Sequence, residues 1–120
     1  MTSEARRRLW IRLGIPPDYA RTRHLPVQRE ARVLVRIGRA ADDGKPVRLA
    51  PRAAAAWRRM TAAAARDGVT LLPVSGFRSI ARQARLIRRK LATGRTLDDV
   101  LRFVAAPGCS EHHKIGRAHV

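Results

Sequence analysis

Apolar positions recur along this chain in two rhythms, and the change from one to the other marks its elements. Residues 3–13 form an amphipathic stretch that predicts a short helix with Ser3 as its N-cap, ended by Gly14 and Pro16-Pro17. Residues 15–30 carry three prolines and read as an irregular connection. Val33, Val35 and Ile37 then alternate with Leu34 and Arg36, the period of a strand that closes at Gly38. Asp42-Asp43-Gly44-Lys45 is a turn, and Val47-Arg48-Leu49 makes the second strand of a hairpin.

The rhythm changes at Pro51, a residue tolerated at the first position of a helix. Ala54, Trp57, Met60/Thr61 and Ala64 recur at three- and four-residue spacing, predicting a helix over 51–66 with Gly68 as its stop. Residues 69–74 are a short apolar run of strand type. Ser75-Gly76-Phe77-Arg78-Ser79 turns the chain into another helix, over 79–92, whose apolar stripe is Ile80, Ala84, Ile87 and Leu91. Thr96 caps a further short helix, with Asp98 and Asp99 in its first turn, where the helix dipole favours anions. Helix, hairpin, helix, strand, helix, helix and loop together predict an α+β domain.

A chain of 120 residues suits one domain, and 45% hydrophobic residues suffice for a core. With 4% aromatics, that core is built from Ala, Val, Leu and Ile. No run approaches the ~20 apolar residues that span a bilayer. The opening residues are not the apolar block of a signal peptide, so a cytoplasmic location is expected. Cys109 is the single cysteine, which excludes an intrachain disulfide and a cysteine zinc cluster.

The net charge of +17 raises the alternative of a small basic nucleic-acid-binding protein. The basic residues are 23 Arg and 3 Lys, spread from Arg6 to Arg117. An Arg- and Ala-rich, Lys-poor composition follows from a G+C-rich genome without functional demand. The five aromatics are not interleaved with the arginines as base-stacking platforms require.

Two motifs carry the chemistry. The first is Ser75-Gly76-Phe77-Arg78-Ser79, with Gln83 following. The second is Ala106-Pro107-Gly108-Cys109-Ser110-Glu111-His112-His113. Each alone is weak, because a Gly-bearing turn and a histidine pair in a loop are both common. Together, in this order, they resemble the VanY-like D-alanyl-D-alanine carboxypeptidases. That family carries Ser-Gly-Phe/Tyr-Arg-Ser, then a Gln, then Pro-Gly-x-Ser-x-His-x-x-Gly-x-Ala-x-Asp. The stretch from Leu49-Ala50-Pro51 through Trp57 and Met60 to Gly68-Val69 also resembles the family, so the likeness covers roughly residues 49–113.

The resemblance implies an antiparallel sheet with helices packed on it, of the hedgehog and D-Ala-D-Ala peptidase type. It implies a zinc-dependent enzyme that trims the terminal D-Ala, or a related residue, from a peptidoglycan stem peptide or muropeptide. A D,D- or L,D-carboxypeptidase, or a zinc endopeptidase on the same polymer, all fit. Such a substrate puts the periplasm or cell envelope beside the cytoplasm as a location, and a monomer is expected. A structural module without metal is the third class of reading.

Residue by residue, the resemblance makes His112 a zinc ligand, since it stands two after Ser110, and puts His113 at a non-ligand position. Ser110 and Gln83 would contact substrate. Arg78 would face the scissile carbonyl or the terminal carboxylate. A zinc ion held by two neutral imidazoles and one carboxylate keeps an open site and activates its water near neutral pH. A fixed guanidinium offers the resulting oxyanion donors that do not deprotonate.

The motif departs from the family after His113. Ile115 stands where the family has Gly, glycine arrives at Gly116, and no Asp ligand follows. Residues 114–120 read instead as the in-frame translation, AAG-ATC-GGA-AGA-GCA-CAC-GTC, of a common short-read sequencing adapter. The expected organisation is therefore an N-terminal helix and hairpin extension over 1–48, the first portion of a peptidase domain over 49–113, and a non-native tail over 114–120. With one identifiable ligand of three, the chain is expected to be inactive as written.

Overall fold

A computed structural model describes residues 1–114, and the chain divides into two compact units. Met1–Glu30 and Arg78–His113 form one; Ala31–Phe77 belongs to the other. Apart from Lys114, the tail expected at 114–120 lies outside the described residues.

The first unit is helical. Helix α1 spans Ser3–Leu13, α2 Tyr19–Thr22, α4 Ile80–Ala92 and α5 Leu97–Leu101, followed by a 3₁₀ turn at Glu111–His113. Helix α1 has the predicted span, but its N-cap is Thr2, not Ser3. The Thr2 hydroxyl accepts from the Ala5 N–H, so Ser3 is already helical. Gly14 closes α1 at φ +82°, in the left-handed region that favours glycine. The connection expected to be irregular holds the single turn of α2. Thr96 caps α5 through the Asp99 N–H, as the sequence predicts, while Ser79, expected as the first helical residue, is the N-cap of α4 and accepts from the Arg82 N–H. Leu9, Trp10 and Leu13 pack with Ile80, Ala84, Ile87, Val100 and Ala106 in one core. Trp57 apart, the large buried aromatic of the chain is Trp10, which keeps the rest of this core aliphatic.

The second unit is a hairpin under a helix. Strands β1 (Val35–Arg39) and β2 (Pro46–Leu49) pair antiparallel around the predicted turn. The register shifts between Arg36 and Gly38, so β1 carries a bulge there. Helix α3 spans Pro51–Arg66, with Pro51 at its start, and buries Ala54 and Trp57 on Leu49, Val35 and Ile37. Met60, on the same stripe, stays 44% exposed, because two strands cover only the first turns of the helix.

The strand expected at 69–74 does not form. Among the described residues the segment joins no ladder: Pro73 accepts from the Ala41 N–H at 2.8 Å and has no N–H to return. Four residues on, Phe77 N–H donates to the Arg48 carbonyl at 2.7 Å. Val69, Leu72 and Val74 are exposed. At Gly76 the chain passes so close to β2 that an added Cβ would sit 2.5 Å from the Arg48 carbonyl oxygen and 2.7 Å from Val47 Cγ1. Gly76→Ala is therefore expected to push the segment off β2 and cost about 1–3 kcal/mol. A urea titration that leaves the unfolding midpoint unmoved would contradict this close approach. The mixed helical and antiparallel architecture is the α+β class predicted, and no helix among the described residues is long and apolar enough to cross a membrane.

Candidate active site

All four residues singled out by sequence, Arg78, Gln83, Ser110 and His112, fall in the helical unit, and hydrogen bonds tie them to one another. Arg78 enters α4 one residue before its N-cap, so its backbone is fixed by the helix start. Its N–H donates to the His112 carbonyl at 3.1 Å. Its guanidinium donates through Nη1 to Gln83 Oε1 at 3.0 Å. The side chain of Ser110, buried, accepts from the His112 N–H at 3.2 Å. The turn from Ser110 to His112 is thus braced from within, and from outside by Arg78.

Gln83 is the polar residue on the buried face of α4, 1% exposed among Ile80, Ala84 and Ile87. Its amide is used at both ends: Oε1 accepts from Arg78, and Nε2 donates to the Ala105 carbonyl at 2.7 Å. The glutamine expected to contact substrate is thus enclosed, with its amide bonded to Arg78 and to Ala105.

The electrostatics centre on Arg78. Burial pushes its pKa below the usual guanidinium value, and the like charge of Arg82 adds to the effect. It remains a cation at neutral pH. The ion pairs among the described residues are Arg8–Glu4 and Arg95–Asp99, and neither involves it. Arg78 is a partly desolvated positive charge whose side-chain acceptor is a neutral amide.

Sequence reasoning missed three supports of this site. Glu30 Oε1 accepts from the Ile80 N–H at 2.6 Å, an acid placed at the positive end of α4. The Trp10 indole N–H donates to the Pro107 carbonyl at 2.7 Å, and the Gln28 N–H to the Gly108 carbonyl at 2.6 Å. These bonds hold the Pro-Gly loop from residues before position 31, and no local pattern announces partners 97 and 80 positions away. The third is His113, fully buried with a partner at each ring nitrogen. Burial raises the pKa of the Cys109 thiol, which Arg6 only partly offsets, so this thiol stays protonated at neutral pH and is no ready thiolate ligand.

No group of three or more His, Cys, Asp or Glu side chains among the described residues could hold a metal ion.

Comparison with known proteins bears on the whole arrangement. Curated proteins give no match to the sequence. Among solved structures, the chain is similar to a vancomycin-resistance D,D-pentapeptidase, a mutant of VanY from a VanB-type resistance cassette crystallised in complex with Zn(II). The TM-score is 0.50 at 24% identity, over 72% of this chain and 54% of that one. The likeness is one of fold, and the chain spans about half the length of that structure. The family model described as VanY, D-alanyl-D-alanine carboxypeptidase, matches residues 46–118, more than half of the chain and both of its motifs. On that match the chain belongs to the VanY family of D-alanyl-D-alanine carboxypeptidases.

Proposed function

We propose that these residues carry the arginine-bearing part of a zinc-dependent carboxypeptidase that removes the terminal D-Ala, or a related residue, from peptidoglycan stem peptides. The observation that supports this reading most is the state of Arg78. A half-buried guanidinium beside a second arginine, with no acidic partner among the described residues, is electrostatically incomplete. A carboxylate, or the oxyanion of a tetrahedral intermediate, relieves both the desolvation and the repulsion from Arg82. The free C-terminus of a stem peptide brings the first, and amide hydrolysis generates the second.

In this reading His112 is a metal ligand, Ser110 lies on the substrate side of its turn, and Gln83 holds the guanidinium in place. Zinc, when bound in a complete family member, supplies the activated water. Among the described residues no group of three or more donors could hold the ion. The work derived from its own residues is electrostatic. Arg78 accepts negative charge from a position fixed by Gln83 and by the His112 carbonyl, without reorganising as that charge develops.

The nucleic-acid alternative gains no observation. The family match covers the stretch with both motifs and describes a peptidase. The experiment uses two proteins. The 120-residue chain, given zinc and a peptide ending in D-Ala-D-Ala, is expected to release no D-alanine. A chimera in which residues 114–120 give way to the segment that follows the matching histidine in a complete family member is expected to release it, and a chelator to stop it. A zinc-loaded, folded chimera that leaves such peptides intact would remove the proposed activity.

A further inference from the structure

His113 was set aside in the sequence as a non-ligand, yet it is the most completely enclosed polar side chain of the site, at 0% exposure. Its Nδ1 lies 2.6 Å from the Arg78 carbonyl oxygen. The Gly108 N–H points at its Nε2, 3.1 Å away. A carbonyl only accepts, so Nδ1 must carry a hydrogen; an amide N–H only donates, so Nε2 must be bare. One ring state meets both demands, the neutral tautomer protonated on Nδ1.

The bonds form a closed set. Arg78 gives its N–H to the carbonyl of His112 and its carbonyl to the ring of His113, so both polar groups of its backbone are held by consecutive residues. The same ring reaches back to Gly108, at the head of the loop that leads to Ser110. The two motifs, 35 positions apart at this contact, meet through one imidazole.

We propose that His113 is a positioning residue: its Nδ1-protonated ring clasps Gly108 to the backbone of Arg78 and thereby fixes the arginine and the Ser110–His112 turn in one geometry. The proposal rests on the roles given above to Arg78 and His112. It also bears on which of the two adjacent histidines the spacing to Gly116 selects. Counting back from Gly116-x-Ala118 would put the metal on His113, but that ring has no lone pair to give without breaking the clasp at Gly108. His113 holds the scaffold, and the ligand position stays at His112.

The test uses the 120-residue chain labelled with ¹⁵N. Two-bond proton–nitrogen correlations of the wild-type ring should show His113 protonated at Nδ1 and bare at Nε2, the reverse of the tautomer that solvated imidazole prefers. His113→Phe, which keeps bulk and removes both bonds, should speed amide exchange at Gly108 about tenfold, the scale of one buried hydrogen bond. It should also shift the Arg78 Nε–H resonance. His113→Gln, which restores an acceptor, should return Gly108 towards wild-type exchange. Ile87→Val, a loss of packing in the same core, is the control and should leave both signals in place. Added zinc should perturb the ring signals of His112 and not those of His113.

An Nε2-protonated His113 in the wild-type chain would overturn the proposal even if the Phe variant fails to fold. So would equal effects from Ile87→Val, or zinc removing the Nδ1 proton. Zinc that touches neither ring counts against the proposed function, while the tautomer and exchange results still decide the clasp.

Discussion

Arg78→Ala in the zinc-complete chimera is expected to keep its metal and lose about 10²–10³ in kcat, the scale for one donor to a developing oxyanion. His112→Ala should lose the metal itself, and with it all turnover, because removing one of three protein ligands opens the coordination shell. The two variants separate roles that a loss of activity alone would merge. A zinc assay beside the D-alanine assay distinguishes them: full metal with slow turnover for Arg78→Ala, and no metal for His112→Ala. If Arg78→Ala also strips the zinc, the arginine is holding the ligand turn through the His112 carbonyl and is not acting on substrate. Should kcat stay and only KM rise, its partner is the ground-state carboxylate and not the oxyanion.

Where local chemistry decided an element, the sequence was a sufficient guide. Pro51 and the Ala-rich stripe placed α3 within its observed bounds, and Thr96 announced its helix because a capping hydroxyl acts three residues away. Thr2 displaced Ser3 as the first cap because adjacent hydroxyls compete for the same orphan amides, and side-chain geometry settles the winner. The strand at 69–74 failed for a different reason. An apolar run states only that side chains prefer burial, whereas a strand exists by its neighbour's ladder, and Pro73 breaks that ladder among the described residues.

The candidate site was legible as a set of residues and opaque as a network. Motif order brought Arg78, Gln83, Ser110 and His112 to notice, and the fold places them in one unit. What the sequence withheld was which atoms face one another. Gln83 stood out for its place after the first motif, but nothing local showed that both ends of its amide are bonded within the fold. Its position was the one available clue, since a glutamine three residues after Ile80 and next to Ala84 lies on the apolar stripe and must find buried partners there. Glu30 and Trp10 gave no such clue, because their partners are 50 and 97 positions away.

That distance makes Trp10 the position where stability and site architecture are most strongly joined. The residue lies outside the stretch matched by the family model, which begins at position 46. It is nevertheless 2% exposed, packed in the core with Ile80 and Ala106 and set edge-on to Tyr19 at 6.2 Å. Trp10→Ala is expected to cost about 3–5 kcal/mol, the usual range for emptying a buried indole site. In a domain whose total stability is of order 5–15 kcal/mol, that loss unfolds a substantial fraction of the chains. Trp10→Phe separates packing from hydrogen bonding. It keeps most of the ring but leaves the Pro107 carbonyl without its indole donor, expected to cost about 1–3 kcal/mol for an unsatisfied buried acceptor. Urea unfolding of the three proteins measures both steps, and amide exchange at Gly108 and Cys109 tells whether the loosening reaches the loop. Equal stability of the Phe variant and the wild type, with unchanged exchange in the loop, would mean that the indole N–H does not hold Pro107. The loop before Ser110 would then be anchored by Gln28 and His113, together with the Gln83 bond to Ala105.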